Sequence, residues 1–321
     1  MKNKKCNLLI LVVILLSTFT GCKQNTEVKN DDLTSNFYTF LDDTNSEVVV
    51  SRKPRKTAVL FSSYADIWLN SGGTVNITVE ETVDRGLVDR EKVELVGKKV
   101  GKEINAEALI AAKPDFVILT ADYPEHVELA ALLRQSNIPV ALFKVDDFNG
   151  YLNMLKICTD IMDRPDAYET YGLNVKSDID EIIEKTKIEN NKKTILFIRA
   201  YSKGAKAKTT DHFVGQMLEE LNTDNIATHA KILLEELSIE SIAVEDPDYI
   251  FVSTMGDNEE AISYMQKQIN DNPVWSSLSA MKNNNYIILP KDLFQYKPNA
   301  RWAEAYEYIT KKLYPEAFIN E

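Results

Sequence analysis

The clearest candidates for chemistry are the basic residues of one short stretch. Residues 190–210 include six Lys or Arg and no acid, although the whole chain has 49 acidic and 37 basic residues and a net charge of −12. Arg199 and Lys206 belong to this stretch, and Arg199 directly follows the apolar run 195–198. Guanidinium and ammonium groups hold anions through charge-assisted hydrogen bonds. The stretch therefore predicts an anion-binding surface, and the alternative is a solvated loop whose lysines balance surface charge.

Further candidates follow the other apolar, strand-like runs. Loops at the carboxyl ends of parallel strands are where α/β sheets bind ligands. Aromatic side chains there offer a large contact area with few torsions to freeze, which suits a flat chelate or macrocycle. Packing at a strand end explains each aromatic residue equally well. The predicted ligand-binding residues are Ser63, Tyr64, Arg85, Tyr123, Arg199, Tyr201, Lys206, Met255, Tyr296, Lys297 and Arg301.

Motifs of known catalytic and metal sites are missing from the sequence. It has no Gly-x-Ser-x-Gly, no Walker A run and no His-Glu-x-x-His. The three histidines, His126, His212 and His229, are scattered, so we expect no metal site and no cofactor. His126 or His212 could still ligate a haem iron, although a role at a helix start or on the surface is simpler. Nucleic acid is excluded as a partner, because a phosphate backbone requires a basic face.

The order of elements predicts two similar lobes. A chain of 321 residues, 44% hydrophobic and 27% charged, is typical of about two globular domains. Strand and helix patterns alternate up to Val145, two helical patterns follow, and the alternation resumes near Lys193. We therefore predict an α/β fold with mostly parallel sheets. Its parts are an N-terminal lobe at 48–163, a linker helix at 164–190 and a C-terminal lobe at 191–321.

One pattern occurs twice in the chain. The segments "INAEALIAAKPDFVIL" and "LSIESIAVEDPDYIFV" each join a helical spacing of apolar residues to a Pro-Asp pair and a strand-like run. Glu107 and Glu240 hold the same place in them, 240 − 107 = 133 residues apart. Asn105 and Ser238 are suitable N-caps, and the helix dipole favours an acid in the first turn. The repeat predicts equivalent helices in the two lobes.

The first 21 residues are predicted to be a lipoprotein signal peptide. Three lysines precede an apolar run at 8–16, which has the length of a signal-peptide core. "FTGC" then places a glycine before Cys22 and resembles a lipobox, with Phe19 in place of the usual Leu. Cys22 is expected to carry the lipid, and the polar residues 22–47 to form a tether. An uncleaved membrane anchor is the alternative, and both place the rest of the chain outside the cytoplasm.

Taken together, the motifs resemble one protein family. "INAEALIAAKPDFVIL", "LSIESIAVEDPDYIFV" and "NPVWSSLSAMKNNNYIILP" are similar, in this order and spacing, to segments of the substrate-binding lipoproteins of ABC importers. These importers carry iron–siderophore complexes, haem or cobalamin, and the likeness covers roughly residues 52 to 315. The resemblance implies two Rossmann-like lobes with parallel sheets joined by a single long helix, a ligand held between the lobes, and no enzymatic activity.

The resemblance also implies partners. They are a small-molecule metal chelate, the permease dimer and the ATPase of an ABC importer, and the membrane through the lipid; we expect a monomer. In the family, the glutamates at the positions of Glu107 and Glu240 dock onto arginines of the two permease subunits. The basic and tyrosine residues favour an anionic ferric siderophore as ligand, with haem and cobalamin as alternatives. A lipid-anchored enzyme and a signalling receptor on the same scaffold are the alternatives from other classes.

Overall fold

The computed structural model describes residues 36–98, 103–186 and 192–318. Its first element is a hairpin of two antiparallel strands, β1 (Phe37–Leu41) and β2 (Glu47–Ser51). The loop between them folds onto the first lobe. There Asp42, which is only 4% exposed, pairs with Arg134 at 2.9 Å and accepts a hydrogen bond from the Leu142 amide.

The hairpin shows that the predicted boundary between the tether and the first lobe is wrong. Residues 22–47 were predicted to be a polar tether, but residues 36–47 belong to the folded unit that begins at Asn36. Along β1, Tyr38 and Phe40 turn inward at alternate positions, and the Phe40 ring stacks on Phe143 with centroids 6.1 Å apart. The surrounding Asn, Asp and Thr concealed this short alternation. Residues 22–35 lie outside the described ranges, as do the predicted signal peptide and Cys22.

The first lobe is built on a sheet of five parallel strands. They are β3 (Thr57–Val59), β4 (Ile77–Thr78), β5 (Glu94–Leu95), β6 (Phe116–Thr120) and β7 (Val140–Phe143), in the spatial order β5-β4-β3-β6-β7. Its helices are α1 (Ser62–Asn70), α2 (Glu80–Asp84), α3 (Ala106–Ala112), α4 (Pro124–Gln135) and α5 (Phe148–Met162). Strands β3, β4, β6 and β7 are buried, as parallel strands covered on both faces require, whereas the edge strand β5 is exposed at Glu94.

A helical segment connects the two lobes. It consists of α6 (Pro165–Tyr168), a π-helical turn (Glu169–Leu173) and α7 (Asn174–Thr186). Pro165 opens it, where a missing amide donor costs nothing. Val175, Ile179 and Ile182 recur at helical spacing and turn one face of α7 to the core. The end of the predicted linker, residues 187–190, lies outside the described ranges.

The second lobe repeats the architecture of the first. Its strands are β8 (Lys193–Tyr201), β9 (Gly204–Ala207), β10 (Thr223–Asn225), β11 (Tyr249–Thr254) and β12 (Tyr286–Ile288). The helices are α8 (Phe213–Glu220), α9 (Ile232–Glu235), α10 (Ile239–Glu245), α11 (Asn258–Asp271), α12 (Ser279–Lys282), α13 (Lys291–Phe294) and α14 (Trp302–Leu313). Short 3₁₀ turns cover Arg90–Lys92, Ile226–Thr228, Pro273–Ser277, Asn299–Arg301 and Pro315–Phe318. The predicted α/β fold with two lobes is confirmed.

The sheet of the second lobe contains two strands, β9 and β10, that the sequence did not predict. Its order is β10-β8-β11-β12 with all neighbours parallel, and β9 pairs with β8 in the antiparallel sense. Half of the predicted basic loop is therefore a strand, which places Lys206 directly opposite Arg199. Within the described ranges, no helix combines the length and apolar character needed to cross a bilayer.

Candidate functional site

The first two βα loops of the first lobe are linked by hydrogen bonds. The chain turns straight from the buried strand β3 into α1, so Ser62 and Ser63 stand in the first turn of the helix. Ser62 Oγ donates to Glu81 Oε2 at 2.7 Å, and Arg85 Nη1 donates to Ser62 Oγ at 3.1 Å. The α2 residues that follow β4 are thereby fixed against α1, and Arg85 is held in one orientation.

Arg85 and Tyr296 bring the two lobes together. The guanidinium carbon of Arg85 lies 4.1 Å from the centroid of the Tyr296 ring. A cation is attracted to the electron-rich face of an aromatic ring. Burial lowers the pKa of Arg85, while the charges of Asp66 and other nearby groups raise it. An arginine nevertheless keeps its charge at neutral pH. Two predicted site residues, one from each lobe, thus form one surface of the cleft. We use "cleft" for the space between the carboxyl ends of the strands of the two lobes.

Ser63 makes contacts between the lobes, and in this arrangement its side chain is too buried to reach a ligand. It is 1% exposed, and its Oγ accepts a hydrogen bond from the backbone amide of Lys297 at 3.4 Å. Its carbonyl oxygen accepts another from Asn299 Nδ2 at 2.8 Å, and the same nitrogen reaches Asp66 Oδ2 at 2.8 Å. Asn299 is fully buried and has a φ of 55°. The prediction that Ser63 contacts the ligand directly is corrected to a role in joining the lobes.

Lys297 places a half-buried amine in the cleft. Burial lowers the pKa of its ammonium group, and the positive charges of Arg199 and Lys144 act in the same direction. Asp122 and Asp146 of the first lobe raise it, so their carboxylates lie near this amine. Lys297 Nζ also lies 5.6 Å from the centroid of the Phe213 ring. No ion pair holds Lys297 among the described residues, so its charge is available to a ligand.

Arg199 and Lys206 form a cationic pair on the second lobe. They face each other across the β8–β9 ladder, and residues directly opposite in an antiparallel pair project from the same face. Arg199 Nε is buried without a hydrogen-bond partner in the described chain. Tyr201 ends β8 opposite Gly204, and it is half-buried. The turn of β9 therefore gathers three predicted residues that the sequence had placed along an extended loop.

Tyr123 of the first lobe interacts electrostatically with Arg199 of the second. Burial raises the pKa of its hydroxyl, as do the charges of Asp122 and Glu81, whereas Arg199 lowers it. The influence of Arg199 places Tyr123 and Arg199 within electrostatic reach across the cleft. Met255 follows β11, is 37% exposed, and donates its backbone amide to the Ala200 carbonyl at 2.9 Å. These positions match the predicted arrangement at the strand ends.

Two predicted residues lie elsewhere. Tyr64 is fully buried in the first lobe, where its hydroxyl donates to the Phe143 carbonyl at 3.1 Å and accepts from the Val145 amide at 3.2 Å. It packs the core because α1 turns this position toward the sheet. Arg301 makes two hydrogen bonds of 2.7 Å to Glu304 on the last helix. Tyr64 is closed to a ligand in this arrangement, whereas Arg301 is exposed and paired with Glu304.

The two histidines considered as haem ligands have structural contacts. His126 is fully buried and its Nδ1 accepts a hydrogen bond from the Thr120 amide at 3.1 Å. Burial lowers the pKa of His126 to about 4. His212 caps α8 by accepting from the Val214 amide at 3.2 Å. Its pKa lies well below the usual value, first because of burial and then because of Arg199 and Lys297. Both are therefore neutral rings at physiological pH.

Ser62, Glu81, Asp122 and Asp146 lie near the predicted cations and are absent from the predicted ligand-binding residues. Each follows the end of a strand by two or three residues, and that position was the available signal. Across the described ranges, no cluster of three or more His, Cys, Asp and Glu is arranged to hold a metal ion. The site is suited to holding an anion, with acids setting the spacing of the cations.

The two repeated glutamates lie at exposed positions. Glu107 is exposed in the first turn of α3, and Glu240 is exposed in the first turn of α10. Asn105 accepts from the Ala108 amide at 2.9 Å, and Ser238 accepts from the Ser241 amide at 3.3 Å. The predicted N-caps are confirmed. Both carboxylates remain open to a partner on the outer surface.

Comparisons with known proteins agree with this architecture. A family model described as "Periplasmic binding protein" matches residues 58–293. The "Iron-uptake system-binding protein" of Bacillus subtilis (strain 168) is 24% identical over 206 residues, or 62% of this chain. The similarity spans 61% of that relative, less than two thirds of its length.

Solved structures share the fold at low sequence identity. A periplasmic binding protein from Veillonella parvula DSM 2008 has a TM-score of 0.71 at 16% identity, with 88% of this chain and 93% of that chain covered. The periplasmic catecholate-siderophore binding protein VctP from Vibrio cholerae has a TM-score of 0.68 at 13% identity, with 86% and 99% covered. At these identities the likeness concerns the fold alone.

Proposed function

Because the chain belongs to the periplasmic binding protein family, whose members bind solutes and are not enzymes, we propose that it captures an anionic iron chelate between its lobes and delivers it to an ABC importer. The favoured ligand is a ferric siderophore, with haem or cobalamin as the alternatives within the family. The similarity to a protein named for iron uptake supports iron over other solutes.

The observation that carries the proposal is the half-buried amine of Lys297, whose pKa is lowered by desolvation. Partial removal from water disfavours the charge of an ammonium group that has no ion pair. An anionic ligand would supply the missing counter-charge. The charge of Arg199 lowers the pKa of Lys297, so these two cations act on each other, and Arg85 packs against the ring of Tyr296, which precedes Lys297 in the chain. Tyr123 and Tyr296 supply aromatic surface from the two lobes.

The ligand can be identified directly from the protein as it is purified. We expect the full-length chain, extracted from its host in mild detergent, to carry a chelate that native mass spectrometry and an absorbance scan reveal. A broad visible charge-transfer band would identify a catecholate or hydroxamate iron complex. A Soret band would identify haem, and a corrin spectrum cobalamin. Iron-free protein that binds none of the three classes in titrations would contradict the proposal.

Attachment to the membrane is part of the same proposal. Cys22 is expected to receive the lipid, so the binding protein stays near its importer. The sequence "FTGC" supports this, and labelling with a fatty acid tests it in the wild-type chain and in Cys22→Ala. Equal labelling of both chains would contradict lipidation at this residue.

Delivery requires a surface that the permease can recognise on both lobes. Glu107 and Glu240 are exposed at equivalent helix starts, so they form a pair of negative charges whose spacing follows the positions of the lobes. We propose that they dock onto basic residues of the two permease subunits. Charges at the rim of an interface steer the encounter and fix its register.

Replacing both glutamates therefore separates transport from ligand binding. We expect Glu107→Ala with Glu240→Ala to abolish uptake while ligand affinity changes by less than about twofold, under about 0.5 kcal/mol. The matched control is Glu128→Ala with Glu259→Ala, which removes one exposed acid from each lobe at other sites. Uptake in cells and titration of the purified chains are the two measurements. Normal uptake by the first double variant would reduce the repeat to a helix-capping motif.

A further inference from the structure

The linker contains one turn that is wider than an α-helical turn. The Asn174 amide donates to the Glu169 carbonyl, five residues back, which is the spacing of a π-helix. Tyr168 and Asn174 keep helical backbone angles on either side, so α6 and α7 continue into the turn without a break. A π-helical turn includes one residue more than the α-helical turn that it replaces, and such turns are rare overall but frequent at functional sites.

The turn lies where the linker passes from one lobe to the other. α6 and the turn pack on α5 of the first lobe, whereas α7 packs chiefly on α14 of the second. At the turn, Gly172 is buried against Leu152 and Leu155 of α5, and a β-carbon on this glycine would lie 3.1 Å and 3.2 Å from their Cδ2 atoms. Any movement of the lobes relative to each other must therefore change the linker at this turn or bend a regular helix.

A hydrogen bond from the first lobe holds the turn in place. The Tyr151 hydroxyl donates to the Tyr171 carbonyl at 2.7 Å. Tyr151 belongs to α5 and is fully buried, so its hydroxyl has a fixed position. Carbonyl groups of an irregular turn tilt away from the helical ladder and need other donors when they are buried. The turn can change its shape only if this hydrogen bond lengthens or breaks.

The outer side of the turn is open to solvent. Glu169, Thr170 and Leu173 are exposed, so a change in the turn displaces no packed side chain on this side. In α7, by contrast, Val175 and Ile179 are buried one helical turn apart, and a change of register there would move them out of the core. The segment 169–173 is thus the part of the linker that changes shape at the smallest cost.

We propose that the turn 169–173 is the hinge of the linker and that the Tyr151 hydroxyl is its latch. α6 moves with the first lobe and α7 with the second, and the turn between them absorbs the change, as a few hinge residues do between rigid parts. The movement is small, because one hydrophobic core includes residues of both lobes. The inference rests on the proposed function only in that a ligand held between the lobes needs them to part and close.

Opening the latch tests the proposal. Spin labels are attached through non-natural amino acids in place of Glu128 on α4 and Lys267 on α11, both exposed, in the full-length chain. We expect Tyr151→Phe, which keeps the ring, to broaden the distribution of distances between the lobes. Amides of residues 171–175 should exchange about tenfold faster, the equivalent of one lost hydrogen bond. The control is Tyr168→Phe in α6, whose hydroxyl makes no hydrogen bond within the described ranges.

Removing the hinge is the complementary experiment. Deletion of Thr170 takes out the extra residue, so we expect a regular α-helix, a folded chain and a narrower distance distribution than in wild type. Deletion of Ser177, an exposed residue of α7, rotates the buried residues on its two sides by about 100° relative to each other and should lower the melting temperature far more.

Three outcomes would each overturn the proposal: equal destabilisation by the two deletions, no narrowing after deletion of Thr170, or a wild-type distribution in Tyr151→Phe. A uniform rise in amide exchange across both lobes would reduce Tyr151 to a general packing role and overturn it as well. No chelate enters these measurements, so their failure leaves the proposed transport function unaffected.

Discussion

At the scale of single residues, Lys297 illustrates a conflict between stability and binding. Its amine is half-buried and makes no ion pair among the described residues, and burial lowers its pKa more than the charges of Asp122 and Asp146 raise it. Lys297→Met keeps the length of the side chain and removes the charge. We expect this variant to unfold at a higher temperature than the wild type and to bind an anionic chelate about 10- to 150-fold more weakly.

The measurements for Lys297 are calorimetry without ligand and titration with the chelate. Lys267→Met, at an exposed position of α11, should change neither quantity appreciably. Unaltered chelate affinity in Lys297→Met would move the anion site away from this residue.

His126 makes the first lobe sensitive to acid. Its pKa is about 4 in the folded chain and about 6.5 in an unfolded one, because burial disfavours the charged ring. At pH values between these two pKa values, the unfolded state binds a proton at His126 more readily than the folded state does. The contribution of His126 is therefore complete above pH 6.5 and is lost as pH falls toward 4, by about 3 kcal/mol in all.

Denaturant unfolding measured across this pH range tests whether the contribution of His126 to stability is lost as the pH falls. In His126→Asn the amide oxygen can still accept from the Thr120 amide, and we expect the free energy of unfolding to vary less between pH 6.5 and 4 than in the wild type. His212 contributes in the same direction and remains in both chains. The control His229→Asn changes an exposed ring. Equal pH slopes for His126→Asn and wild type would contradict the expected role.

Among the predicted site residues, one cation and one aromatic residue, Arg301 and Tyr64, lie away from the cleft. Arg85, Arg199 and Lys297 reach the cleft because a charge at a strand end has few places to be satisfied except the space between the lobes. Tyr64 could serve either a core or a ligand, and only the orientation of α1 decides between them. The sequence shows the position of a residue on a helix, but the direction of the helix relative to the cleft is set by tertiary packing.

At the scale of elements, the structure explains why each copy of the repeat contains a Pro-Asp pair. Lys113 and Asp246 end their helices in the left-handed conformation, with φ of 49° and 41°. After the proline, Asp115 Oδ2 accepts from the Lys56 amide at 2.9 Å, and Asp248 Oδ2 accepts from the Thr194 amide at 2.9 Å. Each aspartate thereby fastens its strand to the neighbouring central strand at the entrance of the sheet.

Removing either aspartate should loosen only its own sheet. We expect Asp248→Ala to lower the free energy of unfolding by roughly 1–3 kcal/mol, because the amide and hydroxyl of Thr194 lose their acceptor. Asp248→Asn, which retains an acceptor oxygen, should lose less. Amide hydrogen exchange would show weaker protection in β8 and β11 while β3 and β6 stay unchanged. Uniform loss of protection in both sheets would contradict this assignment.

The repeat and the long helices were predictable because their signals are local. Strand β9 could not be predicted in this way. The turn at 202–203 has no strong turn signal, and the residues of β9 are small or basic, so they read as a loop. They form a strand because β8 offers unpaired backbone groups on one side, and the backbone groups of β9 pair with them. Pairing of this kind depends on a neighbour that periodicity within one segment cannot reveal.

At the scale of the whole molecule, Asn299 fastens the lobes near the linker. Its amide group donates to Ser63 and Asp66 of α1 across more than 230 residues of sequence. Asn299→Gly removes these hydrogen bonds but tolerates the positive φ, and Asn299→Ala adds backbone strain. We expect both variants to lose about 1–3 kcal/mol of stability, with the larger loss in Asn299→Ala.

Distances between spin labels on the two lobes supply the second measurement. Without the amide contacts, the distance distribution of ligand-free Asn299→Gly should broaden relative to wild type. Asn283→Gly, at an exposed position, is the control. A distribution identical to wild type would show that the linker and the shared core, and not Asn299, set the spacing of the lobes.

The loop at Asp42 and Asp43 has a consequence for the chain's behaviour at high concentration. β7 is the outermost strand of its sheet, and outermost strands invite pairing with a second molecule. Here the loop occupies the vacant side: Asp43 donates to the Leu142 carbonyl, Asp42 accepts from the Leu142 amide, and Asp43 accepts from the Lys144 amide. A chain trimmed to begin at Val48 would lose this cover and expose a ready template for aggregation. We therefore expect Asp42 and Asp43, which the sequence assigned to a polar tether, to hinder pairing of β7 with a second copy.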